Sequence, residues 1–303
     1  MIREEAFGDC RLFTLANEEL ELKVTDLGAT VVSLRYRGRE TVLGYDSPAL
    51  YREKSAYLGA AIGRYANRIG GAAFTLGGRR WELPANEGVN QLHGGPESYD
   101  RRRWQAEERG GALEFSLFSP DGDNGFPGNL RATLRYSLSG AALRLDFEAE
   151  CDADTVYAPT SHMYFDLGGR GKVLDARLWL NADAWLEVDG GLIPTGRLLP
   201  TEGDFDFHSL RRVERDYDHC FVLSGEHACT MADGGLRLDV YTDLPAVQIY
   251  TGAFLPPPHG ANAGLAIEPE FYPDSPNRPD FPSTLLRAGE HFHRWATYRF
   301  SEQ

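Results

Sequence analysis

Apolar residues in this chain recur at every second position, and that period limits how the chain can fold more than any other feature. Leu20, Leu22 and Val24 alternate with Glu19, Glu21 and Lys23, which turns one face of an extended segment toward a core and the other toward water. Leu134, Tyr136 and Leu138 repeat the pattern. Leu143, Leu145 and Phe147 resume it after Ser139-Gly140, so the two runs predict a hairpin. Phe74 and Leu76 lead through Gly77-Gly78 into Trp81 and Leu83, a second hairpin. Leu236, Leu238 and Val240 read as a further strand, Val247 and Ile249 as a later one, and Ala296, Tyr298 and Phe300 as the last. Helical signals are confined to two short stretches, Ser47 to Lys54 and Ser209 to Val213. Strands do not alternate with helices, which argues against a doubly wound α/β fold, and many short strands separated by turn residues predict an all-β sandwich or barrel. There is no repeat of fixed period and no low-complexity tract, and Pro256-Pro257-Pro258 reads as a stiff loop. Residues 1–303 are therefore expected to form a single domain.

The charge balance narrows the partners. Lys plus Arg is 31 and Asp plus Glu is 45, a formal charge of −14. Phosphate backbones and anionic membrane surfaces attract positive proteins, so nucleic acid and a basic membrane anchor are not expected as partners. No apolar run approaches the roughly 20 residues of a membrane span, and Met1-Ile2-Arg3-Glu4-Glu5 has no apolar signal core. A cytoplasmic location is the expectation. Cys10, Cys151, Cys220 and Cys229 form no C-x-x-C pair and have no zinc-site spacing. Gly168-Gly169-Arg170-Gly171-Lys172 lacks the P-loop spacing. Asp121-Gly122-Asp123-Asn124-Gly125 opens like a calcium loop, but Ala132 stands where the bidentate acid belongs. His291 and His293 would share a strand face with no third ligand in view and read as a surface pair.

Several polar segments are not explained by strand or turn chemistry. Gly63-Arg64-Tyr65-Ala66-Asn67-Arg68-Ile69 places two arginines and an amide within five residues. Asn90-Gln91-Leu92-His93-Gly94-Gly95 sets a histidine beside glycines that let backbone approach a ligand. In Thr160-Ser161-His162-Met163-Tyr164-Phe165-Asp166-Leu167, His162 and Tyr164 share a face if the segment is extended. Leu265-Ala266-Ile267-Glu268-Pro269-Glu270 carries an acid at the end of an apolar run, and burial would raise its pKa. Tyr217-Asp218-His219-Cys220-Phe221 brings another acid into an apolar strand. A solvated turn, a hydrogen-bonded core histidine or a strand end would account for each segment alone. Together, planar donors, acceptors and aromatic faces are what a sugar site requires.

These segments, with Ser119-Pro120-Asp121-Gly122-Asp123-Asn124-Gly125-Phe126-Pro127-Gly128, Gln248-Ile249-Tyr250-Thr251-Gly252 and Pro273-Asp274-Ser275-Pro276-Asn277, occur in an order that resembles the aldose 1-epimerase (galactose mutarotase) family. The resemblance runs from about residue 58 to 277. It implies a large antiparallel β-sandwich with a sugar in an open cleft across one face, and interconversion of the α and β anomers of free aldoses of the galactose or glucose type. It implies no metal or cofactor, a monosaccharide as the small-molecule partner, and a monomer or homodimer. By position, Glu268 resembles the family's base and His162 its acid, while Asn67, Arg68, His93, Tyr164, Asp218 and Gln248 resemble its sugar-binding set.

The chemistry is consistent with that pairing. Opening a pyranose takes a proton from the C1 hydroxyl and delivers one to the ring oxygen, work for a carboxylate and an imidazolium. The chain departs from the family at Ser161, Asp166, Ala253 and Glu270, where Asn, Asn, Asn and Gln are usual. Glu270 would share a face with Glu268 if the strand continues through Pro269, adding charge beside the base and raising its pKa. Three other readings stay open: a sugar-binding module without turnover, a sugar-phosphate epimerase drawing on Arg64 or Arg101-Arg102-Arg103, and a glycoside hydrolase or lyase, which needs two catalytic carboxylates.

Overall fold

The computed structural model describes residues 2–53 and 56–303. Three antiparallel sheets dominate it. The nine-stranded sheet runs, edge to edge, through Gln105–Arg109, Ala112–Ser119, Leu130–Ser139, Ala142–Cys151, His291–Glu302, Leu236–Thr242, His227–Asp233, Arg177–Leu180 and Arg211–Arg212. A five-stranded meander occupies Ile2–Phe7, Cys10–Ala16, Leu20–Thr25, Thr30–Tyr36 and Arg39–Glu40. A six-stranded sheet is ordered Tyr164–Phe165, Leu265–Glu270, Ala246–Tyr250, Asp218–Leu223, Ala182–Val188 and Pro194–Pro200.

The period-two pattern explains how these sheets meet. The inward residues of the large sheet, including Phe115, Leu134, Tyr136, Leu145, Val240 and Tyr298, share one continuous core with Phe13, Leu22 and Val31 of the meander and with Phe165, Leu265, Ile267 and Ile249 of the six-stranded sheet. Edge-on contact of Phe115 with Phe13 at 5.8 Å and stacking of Phe165 on Tyr298 at 5.4 Å mark the two seams. Each such side chain contributes about 1.5–3 kcal/mol by burial. The architecture is the all-β sandwich that the alternation predicts.

The local expectations are met with one exception. Leu134 pairs with Phe147 in the hairpin turned by Ser139-Gly140, and Phe74 pairs with Trp81 across Gly77-Gly78. Both turn glycines have positive φ, +60° and +77°, as a two-residue primed turn demands. The helix predicted over Ser47 to Lys54 is Pro48–Glu53, begun by a proline whose missing N–H costs nothing there; Lys54 lies outside the described residues. The predicted helical turn from Ser209 to Val213 is wrong. Arg211–Arg212 is extended and pairs with Arg177 and Leu178, and the Val213 N–H donates to Ala176 O at 3.0 Å. Five residues cannot nucleate a stable helix against an available sheet edge. His291 and His293 face Glu148 and Asp146, at 3.6 and 2.9 Å, as a surface pair. No helix among the described residues is long and apolar enough to cross a membrane.

Candidate active site

Within the six-stranded sheet, the strand Leu265–Glu270 has no solvated face. Leu265 and Ile267 point into the core, and alternation turns Ala266, Glu268 and Glu270 to the opposite side, with the whole strand Leu265–Glu270 buried. Directly opposed residues share a face, so the register adds Gln248 beside Glu268, Cys220 beside Gln248, Tyr164 beside Ala266, and Asp218 beside Tyr250. The strand continues through Pro269, whose fixed φ suits an extended chain, and the Thr160 hydroxyl donates to the Pro269 carbonyl at 2.6 Å.

Two loops form the opposite wall. The short strand Arg68–Ile69 pairs with Gln91–Leu92, bringing Asn67 beside His93. Both residues have left-handed φ, +62° and +51°, and each fastens the other. The His93 N–H donates to Asn67 O at 3.0 Å, and the Asn67 N–H donates to His93 Nδ1 at 3.1 Å. Because Nδ1 accepts, the neutral His93 ring carries its proton on Nε2. Gly94 must be glycine, since a Cβ there would stand 2.0 Å from Gly63 O. Arg68 donates through Nε and Nη2 to both oxygens of Glu87, at 2.7 and 2.8 Å, and through Nη1 to Asn67 Oδ1 at 3.3 Å. Asn67 Nδ2 then donates to Glu270 Oε1 at 3.0 Å.

Between the walls lies a cleft of about 270 Å³, smaller than the roughly 300–1,000 Å³ of drug-sized sites and suited to one sugar ring. All eight residues named from the sequence line it: Asn67, Arg68, His93, His162, Tyr164, Asp218, Gln248 and Glu268. His162 is held through its backbone, donating to Ala60 O at 2.9 Å and accepting from Gly59 N at 2.8 Å. Its Nε2 stands 3.4 Å from Glu268 Oε1. Its ring stacks on Tyr164 with centroids 4.8 Å apart and meets His93 edge-on at 5.3 Å.

Burial sets the electrostatics. It drives the His162 imidazole down to about 3 and that of His93 well below its ordinary value. It drives the Glu268 carboxyl well above the carboxylate range, with Glu270 and Asp218 adding repulsion, and raises Glu270 likewise against the donation from Asn67. Burial thus favours the uncharged form of both the His162 ring and the Glu268 carboxyl. Several polar atoms here have no partner: Glu268 Oε2, Glu270 Oε2, Gln248 Oε1, His162 Nδ1 and Ser161 Oγ. Such atoms are costly unless a ligand or water meets them. Ligand atoms of His93, His162 and Glu268 lie within 4.8 Å of one another. The lone pair of His93 is already used by the Asn67 N–H, so two groups remain, fewer than a zinc site employs.

Other residues from the same sequence segments serve the scaffold. Arg64 donates to Ser119 Oγ and the carbonyls of Ser119, Pro120 and Pro127, at 2.7–2.9 Å, and lies outside the cleft. The residues flanking the calcium-like loop are thus the clamp on Arg64, and within it Asp121 accepts from Gly128 N at 2.6 Å. Arg102 and Arg103 are bound to Asp123 and Asp9. Asp166 accepts from Gly171 N at 2.8 Å, away from the cleft. Sequence reasoning missed Tyr57, Glu87, Leu192 and the 90 % exposed Phe254, all at the cleft. Tyr57 has no motif around it, but its ring packs 4.6 Å from that of His93.

Comparison with known proteins agrees with this architecture. The family model described as aldose 1-epimerase matches residues 11–299. The chain is 39% identical to the aldose 1-epimerase of Escherichia coli strain K12, over 96% of this chain and 95% of that protein. It is 34% identical to the galactose mutarotase of Bos taurus, over 99% and 98%. Among solved structures, the GalM/aldose epimerase homologue from C. elegans superposes with a TM-score of 0.93 at 28% identity, covering 97% of this chain and 99% of that one. The galactose 1-epimerase from Lactobacillus acidophilus NCFM gives 0.90 at 29%, covering 100% and 98%. The buried carboxyl and imidazole in a sugar-sized cleft, the sandwich that carries them and these likenesses converge: the chain belongs to the aldose 1-epimerase family.

Proposed function

We propose that this isomerase interconverts the α and β anomers of a free aldose, with Glu268 as the base that exchanges a proton with O1 and His162 as the acid that exchanges one with the ring oxygen. The observation that supports the roles is the 3.4 Å approach of His162 Nε2 to Glu268 Oε1 inside the cleft. O1 and the ring oxygen are bonded to the same carbon, so two adjacent groups can each reach one of them. Ring opening starts from carboxylate and imidazolium and ends with carboxylic acid and imidazole. That end state is the one burial favours, so the environment draws the proton toward Glu268 as the aldehyde forms. Rotation about C1–C2 and reclosure with the roles exchanged yields the other anomer. His93, with its proton on Nε2, is a donor to a sugar oxygen. Arg68, Asp218 and Gln248 offer planar contacts to hydroxyls, and Tyr164 braces the His162 ring.

The substrate we infer is uncharged. Among the described residues lining the cleft, Arg68 is the one Lys or Arg, and Glu87 holds it through both oxygens, while Glu87, Asp218 and Glu268 supply acid. Among the described residues lining the cleft, a sugar phosphate would meet no unengaged cation. Four unpaired, buried cysteines suit a reducing compartment, which supports the cytoplasm as its location.

Polarimetry on freshly dissolved α-D-galactose and α-D-glucose tests the reading. Anomer exchange should accelerate with the protein, and hexose 6-phosphates should gain far less. Glu268→Gln and His162→Asn should each lose about 10²–10⁴-fold in kcat while the far-UV circular dichroism is unchanged. Absence of exchange with these hexoses and with a panel of pentoses would defeat the enzyme reading, and full activity in both variants would defeat the role assignment.

A further inference from the structure

Glu270 lies on the same strand face as Glu268, two residues on, with no exposed surface. Its Oε1 accepts from Asn67 Nδ2 at 3.0 Å, and its Oε2 has no partner; Glu268 Oε2 has none either. Arg68, whose charge opposes theirs, is engaged by Glu87. Two buried carboxyls with one amide donor and no free cation cannot both carry charge without a large penalty. We propose that Glu270 is a positioning residue for the exchange reaction: its buried carboxyl on the same strand face acts through space on Glu268, so that the two carry at most one charge between them and Glu268 is a stronger base once it ionises.

The surroundings leave the pair to settle that charge between themselves. Asp218, on the strand Asp218–Leu223, adds negative charge, and Arg68 opposes it. Cys220 on that strand, Tyr250 on Ala246–Tyr250, Tyr164 on the other flank, Tyr65 from the loop wall and Tyr298 across the core are all raised by burial and stay neutral near pH 7. His162 and His93 are held neutral by burial. The cost of a stronger base is availability, since more of it is protonated at a given pH.

Glu270→Gln keeps the acceptor for Asn67 and removes the second ionisable group. This inference rests on the reading of Glu268 as base. The acid limb of kcat/KM against pH for galactose should move down by one unit or more, so that well below the limb the variant runs about tenfold nearer its own plateau than wild type. The plateau kcat should fall, because the base is weaker. An unmoved limb would overturn the proposal. Thermal unfolding supplies an arm independent of turnover. A folded-state pKa raised above the unfolded value of about 4.3 means the folded protein binds more protons, so wild-type stability is lost as pH rises above that value. The Tm of the variant minus that of wild type should therefore widen from pH 5 to pH 8, and a constant difference would also overturn the proposal. If wild type exchanges no aldose, the catalytic reading fails, and the Tm pair still decides whether Glu270 takes up a proton on folding.

Discussion

His162 shows how one buried side chain binds stability to mechanism. Its imidazole is pushed down to about 3, against about 6.5 in an unfolded chain. The folded state thus binds fewer protons between those values, and stability is lost as pH falls from 6.5 toward 3. His162→Asn removes that liability, so the Tm of the variant should fall less than that of wild type between pH 7 and pH 4.5. Equal falls would show that the ring is not held neutral. The paired glutamates slope the opposite way, losing stability as pH rises. At this scale the sequence was only partly legible. His162 and Glu268 stand out because a histidine and an acid interrupt apolar runs. Arg64 and Arg68 look alike on paper, yet Arg64 disappears into loop carbonyls and Arg68 reaches the cleft. Glu87 sits in an unremarkable turn, and nothing local marks it as the partner of Arg68.

Among the elements, the strand Leu265–Glu270 carries the most, and its course depends on contacts the sequence does not display. The proline inside it left its continuation open; the structure resolves the question with a neighbour on each side and the Thr160 hydroxyl on the Pro269 carbonyl. Thr160→Val keeps the shape and leaves that carbonyl unsatisfied, so urea unfolding should report a loss of about 1–3 kcal/mol. The same variant should lower kcat more than it raises KM if the strand aims Glu268. Strands with clear alternation and glycine turns were readable because their signal is local. Arg211–Arg212 was not, because a two-residue edge strand is defined by its partner, Arg177–Leu178, rather than by its own pattern.

At the scale of the whole molecule, a single apolar interior joins the three large sheets, and Phe115 sits at the seam between the meander and the nine-stranded sheet. Phe115→Ala should cost about 3–5 kcal/mol in denaturant unfolding while the folded fraction keeps its kcat; a loss under 1 kcal/mol would mean the seam does not hold the layers. Sheet count, order and pairing could not be read from the chain alone, because neighbours such as Ala142–Cys151 and His291–Glu302 lie far apart in sequence and periodicity reports only which way each residue faces. The pairing of Arg68 with Glu87 has a last consequence. A protein of formal charge −14 ordinarily meets charged ligands at rates that change with added electrolyte. Here the cation at the binding surface is already matched and the visitor carries no charge, so kcat/KM for galactose should hold constant from 20 to about 500 mM sodium chloride: the catalyst would work at one pace in dilute buffer and in brine.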